Sequence, residues 1–228
     1  MTDYRKKYEN QFAEAAYLLM AISLALSLSC TTMSEKRYVE NNTFISTYPK
    51  MAIKVSPELK YVGEYRGDIF QDSRAWDHLK TRIERVFHIF LQKGDENDIN
   101  KGVVIATFKV SEGFYWTSDS LKKPGSAMDS GEIKIRGKVW TYAVWRTKNF
   151  FGPANDFVQD HGFSTNQHFL VGVISKVIDH TPTGGDALGN TKMAIYYIED
   201  QRICGSDLGQ FKNRGLKTVQ FIGTESAQ

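Results

Sequence analysis

Cysteine is scarce in this 228-residue chain, with only Cys30 and Cys204 present. That excludes a disulfide-dense scaffold, which needs several pairs, although spacing alone leaves a single Cys30–Cys204 bridge open. Proline occurs five times and is scattered, so there is no Pro-rich linker and no low-complexity tract. Neither sign of charge dominates: 29 Lys and Arg against 26 Asp and Glu leave a net charge of +3. A nucleic-acid partner, which calls for a strongly basic face, is not indicated. Catalytic signatures are missing as well. There is no His-Glu-x-x-His, no histidine pair at i, i+4 spacing and no Gly-x-Ser-x-Gly. Neither a metal site nor a cofactor is expected. Apolar material is plentiful: 41% of residues are hydrophobic and 13% aromatic, enough for a sizeable buried core.

Hydrophobic runs fall short of a membrane span. The best candidate is residues 15–29, AAYLLMAISLALSLS, a stretch without a charge, where a spanning helix needs about 20 residues. Arg5, Lys6 and Lys7 precede it. A basic start followed by a short apolar run is the layout of a secretory signal. An uncleaved anchor helix and a buried core helix are the alternatives. A surface helix of a globular domain carries a polar stripe, and here only late serines interrupt the run.

The run closes on Ser27-Leu28-Ser29-Cys30. This resembles the lipobox of bacterial lipoprotein precursors, with small Ser29 just before the cysteine. The resemblance covers the N-terminal region alone. It implies cleavage before Cys30, a diacylglycerol on its sulfur and lipid anchoring at the cell envelope. Thr31 rather than Asp follows the cysteine, which in that family implies the outer membrane where one exists. Two or more acyl chains hold a protein stably at a bilayer, whereas one chain binds marginally. On this reading residues 1–29 are a signal peptide, residues 30–37 a tether and residues 38–228 a single globular domain. Cys204 is then left unpaired and reads as a small buried side chain.

The domain's dominant pattern is β. Residues 51–55 and 59–64 are expected to form a hairpin across Ser56-Pro57-Glu58. Residues 102–110, GVVIATFKV, are apolar on both faces and predict a central strand. Residues 169–179 behave alike, and with residues 192–199 they predict a long hairpin across a Gly-rich loop. Residues 75–92 mix helical and alternating spacing; a strand is expected from about Thr81, turning through 94–100 into the central strand. A last strand is expected at 217–222. Pro153 and Gly162 bracket one short helix, and Ser206 and Gly215 another. The fold class is α+β or mainly β, a mostly antiparallel sheet with a few short helices.

Residues 131–142, GEIKIRGKVWTY, give the most regular candidate binding pattern. Read as one strand, Ile133, Ile135 and Val139 share a face, and Lys134, Arg136, Lys138, Trp140 and Tyr142 share the other. Cations beside aromatic faces suit an anionic polymer or a sugar ring; a solvated outer face is the plain alternative. Three histidines follow an aspartate: Asp77-His78, Asp160-His161 and Asp179-His180. A carboxylate beside an imidazole can work as an acid/base pair, but neighbours in a strand face opposite sides. Asp179-His180 is the pair best placed for chemistry, at a strand end beside the loop 180–191. The glycines of that loop suit a turn, not a phosphate cradle, because a strand follows it. The aromatic clusters around Trp116 and Trp145 read as packing. The expected function is a non-catalytic binding or structural module at a membrane, with an envelope polymer or another envelope protein as its partner. The alternative is an envelope hydrolase using an Asp-His pair.

Overall fold

In the computed structural model, residues 36–47, 50–72, 80–119, 127–148, 152–178, 189–205 and 207–222 are described. The segment carrying Cys30 and the pairs Asp77-His78 and Asp179-His180 lies outside them. Antiparallel sheet dominates, with a few short helices. The strands are β1 (Arg37–Glu40), β2 (Thr43–Thr47), β3 (Lys50–Val55), β4 (Lys60–Asp72), β5 (Lys80–Lys93), β6 (Ile99–Val110), β7 (Asp129–Ile135), β8 (Lys138–Thr147), β9 (Phe169–Val177), β10 (Thr191–Asp200) and β11 (Val219–Ile222). The helices are α1 (Asn155–Asp160), α2 (Gln201–Cys204) and α3 (Leu208–Thr218). A seven-stranded sheet runs in the order β4-β5-β6-β10-β9-β8-β7, and a four-stranded sheet in the order β1-β2-β3-β11.

The large sheet is buried on both faces, which explains why its central strands read as continuous apolar runs. On one face Phe87, Val104, Val171, Ala194 and Tyr196 meet Val158 of α1 and the flanking Trp116 and Phe157. On the other, Phe90, Val103, Ile105, Ile195 and Tyr197 meet the small sheet through Phe44, Ile53 and Val219, and α3 through Phe211. The expected long hairpin is present as β9 paired with β10, and β5 turns into β6.

Four expectations are corrected. Residues 51–55 and 59–64 do not pair with each other. β3 pairs with β2 and β11, whereas β4 pairs with β5. The Ser56-Pro57-Glu58 link carries the chain from one sheet to the other. Asn42 Nδ2 holds the link, donating to Ser56 O at 3.1 Å and Leu59 O at 2.7 Å, and Leu59 is wholly buried.

The second correction concerns residues 131–142, which are not one strand. Arg136 and Gly137 both have positive φ, 49° and 74°, so they form the type I′ turn that favours a two-residue hairpin. β7 and β8 are its arms. Third, α3 does not stop at Gly215 but runs through it to Thr218. Gly215 lies against the Tyr197 ring, where an added Cβ would come within 2.8 Å of Cδ1. The glycine permits close packing and ends nothing. Fourth, the side chain of Asp207 caps α3, accepting from Gly209 N at 2.8 Å and Gln210 N at 3.0 Å.

Candidate functional site

The hairpin correction redistributes the predicted binding residues. Paired residues of an antiparallel ladder share a face. Ile133 pairs with Trp140, Ile135 with Lys138 and Gly131 with Tyr142, whereas Lys134 pairs with Val139. Ile133 and Ile135 thus share the face of Trp140 and Tyr142, and Lys134 lies on the opposite one. Trp140 is buried, at 4% exposure. It packs edge-on against Phe221 with ring centroids 5.4 Å apart. It is a core residue, not part of an exposed stacking platform. Lys134, Arg136 and Lys138 are exposed around the hairpin tip.

The hairpin walls a groove of about 660 Å³, within the usual range of ligand sites. Val144, Ile174 and Ile195 floor it from the large sheet, and Phe211 and Leu216 of α3 face them. Residues 132–136 and Val219, Gln220 and Phe221 of β11 complete its lining. Helical spacing positions the roof. Leu208, Phe211, Gly215 and Thr218 recur on one stripe of α3. Gly172 lets the helix lie close, because a Cβ there would sit 3.0 Å from Phe211 Cε1.

Two polar clamps hold α3. Arg214 donates to both carboxylate oxygens of Glu199, at 2.8 and 2.7 Å, and to Cys204 O at 3.0 Å. Glu199 also accepts from Tyr197 Oη. At the groove's edge Lys212 Nζ donates to Asp129 at 2.7 Å, and Tyr142 Oη donates to the same carboxylate at 3.2 Å. The Lys212 ammonium also sits 5.1 Å from the Tyr142 ring centroid. The Lys212 hydrogen bond, foremost, holds the Asp129 carboxyl below the usual range, and Asp129 in turn raises Lys212. Both groups are thereby committed to structure. Lys134, Arg136 and Lys138 differ: among the described residues no carboxylate pairs with any of them.

The remaining candidates fall elsewhere. Asp160 and His161 lie exposed at the end of α1, with His161 Nδ1 2.7 Å from Phe157 O and its ring against Phe157. Cys204 is buried and free, and burial pushes its thiol up, away from reactivity. It borders a smaller cavity of about 250 Å³ with Arg146, Leu170 and Leu208. Among the described residues no group of three His, Cys, Asp or Glu side chains could hold a metal.

Among the buried titratable groups that the sequence reading missed are His88 and Lys192. His88 on β5 is wholly buried. Its Nδ1 lies 3.3 Å from Tyr61 Oη, and its Nε2 lies 3.7 Å from Glu64 and makes no hydrogen bond among the described residues. Burial pushes its pKa down to about 4, against the opposing pull of Glu64, while Arg66 and Arg37 add to the depression. Lys192 on β10 is buried with its ammonium 4.1 Å from the Trp116 ring centroid, and burial lowers it to about 8. No local pattern marks either one, because both sit at ordinary alternating positions of central strands. A wholly buried imidazole cannot meet a substrate while the small sheet covers it.

The chain matches no known family model, no curated protein and no solved structure. What defines its class is therefore the architecture itself: a mixed fold dominated by antiparallel sheet, with short helices.

Proposed function

We propose that this chain is a non-catalytic binding module of the bacterial cell envelope, held at a membrane surface by lipid on Cys30, with the groove under α3 as its binding site. The observation that carries the reading is the groove: apolar inside, about 660 Å³ in volume, and bordered at the hairpin tip by cations with no carboxylate partner among the described residues. Apolar lining supplies affinity, and a few convergent polar groups supply orientation. The titratable side chains lining it are Glu132, Lys134, Arg136, Tyr142, Tyr197 and Lys212; none of these is an imidazole or a thiol, and Tyr197 and Lys212 are tied into the clamps. The lipid anchor rests on the lipobox-like Ser27–Cys30 segment.

The test uses Leu216→Glu, at an exposed groove position. The full chain and this variant are purified from the envelope fraction, and their bound small molecules and peptides are compared by mass spectrometry. Ligand retained by the parent and lost from the variant is the expected result. Identical retention by both, or turnover of an envelope substrate by the purified chain, overturns the reading.

A further inference from the structure

The groove's wall is itself a recognition element. Among the described strands, β7 is the last of its sheet and pairs only with β8. In a two-residue hairpin the residues flanking the turn exchange both backbone hydrogen bonds, and the pattern then alternates. Ile135 pairs with Lys138 in this way, and Ile133 with Trp140. Glu132 and Lys134 occupy the alternate pairs, so their N–H and C=O groups point away from β8, along the free edge. Residues 132–136 all line the groove. An apolar slot therefore runs beside the backbone groups of Glu132 and Lys134, which pair with no other strand among the described residues, the arrangement that accepts an added strand.

Charge chooses the kind of strand. Lys134, Arg136 and Lys138 lie exposed along this edge and its turn, without carboxylate partners among the described residues. Lys212 does not contribute, being held by Asp129 at 2.7 Å. Glu132 is the acidic member of the edge and marks the one position where a neutral neighbour is preferred over an acid. A free fatty acid could use the apolar slot and one cation, but it would leave the backbone edge unsatisfied.

We infer that the groove takes an extended acidic peptide, which adds to β7 as a further strand of the large sheet. Its apolar side chains enter the groove under α3 that residues 132–136 line. Its outward carboxylates lie beside Lys134 on the face away from the slot, and Arg136 and Lys138 add positive charge at the turn. The inference rests on the groove being the binding site and names the ligand class that fits it.

The experiment uses the full chain and a dye-labelled peptide alternating valine with glutamate, followed by fluorescence anisotropy. Comparison peptides carry lysine for glutamate, or N-methyl groups on alternate amides in either phase. The glutamate peptide is expected to bind about tenfold or more tightly than the lysine peptide, because like charges on one edge repel. The triple variant K134E/R136E/K138E is expected to reverse that preference, a gain that a misfolded chain cannot show. One phase of N-methylation abolishes binding and the other leaves it intact. If dodecanoate competes and N-methylation has no effect, strand addition is wrong and the groove reading stands. If β7 instead pairs with a second copy, dimerisation without peptide excludes the peptide and overturns the inference. If the glutamate peptide binds L216E and the triple variant as it binds the parent, both readings fail.

Discussion

His88 shows how a single residue ties this fold to pH. Its ordinary pKa is 6.5, and burial beside Phe44 and Tyr61 lowers it to about 4. Between those values the unfolded chain binds a proton that the folded chain refuses. Stability therefore falls as pH drops from about 6.5 to about 4, by about 3 kcal/mol in total. Denaturant unfolding across that range should show the decline, and His88→Phe should flatten it while preserving the contact with Phe44. An unchanged slope in H88F would assign the decline to other groups. Arg214 is a second such residue. It pairs in bidentate fashion with Glu199, which is 1% exposed. Removing one partner leaves a buried charge uncompensated, so Arg214→Met should cost about 3 kcal/mol. The double variant R214M/E199Q should recover most of that loss in chemical denaturation.

At the scale of elements, α3 sets the groove's height, and two glycines set α3. Ala is the better helix former by about 1 kcal/mol, but at Gly215 its Cβ would meet Tyr197 Cδ1 at 2.8 Å and Cγ at 3.1 Å. Overpacking of a buried ring costs about 1–3 kcal/mol, so crowding outweighs propensity. Gly215→Ala should lower the melting temperature and weaken groove binding, whereas Lys217→Ala, at an exposed position of the same helix, should do neither.

These elements also show what could be read from the chain. Periodicity exposed β6, β9 and β10 because burial on both faces writes itself as an apolar run. The β5–β6 and β9–β10 hairpins followed from the turns that join them. β1 and β2 went unread: they are short, and the signal for their turn is only Asn41-Asn42, which the structure places at positive φ, 48° and 57°. The β3–β4 pairing was misread because a Pro-containing turn looks alike whether it closes a hairpin or passes a chain between sheets. The groove was half legible. Its cations stood out by alternation, yet their arrangement depends on the Arg136-Gly137 turn, and the roof that completes the slot comes from a helix over seventy residues later in the chain.

For the whole molecule, one large sheet carries two cores, and the groove opens on the face that α3 and β11 cover. A module of this kind works where its partner is, and the anchor proposed at Cys30 would place it at a membrane. Intact-mass measurement of membrane-extracted protein should show residues 1–29 absent and acyl mass added, both lost in Cys30→Ala; an intact Met1 on soluble protein would contradict the anchor. The groove is tested most directly by amide hydrogen exchange along β7. In the free chain Glu132 and Lys134 should exchange fast, while Ile133 and Ile135, bonded to β8, exchange slowly. Saturation with the valine–glutamate peptide should slow Glu132 and Lys134 to match their neighbours. Fast exchange persisting at those two amides, with protection arising on another edge, would contradict the account.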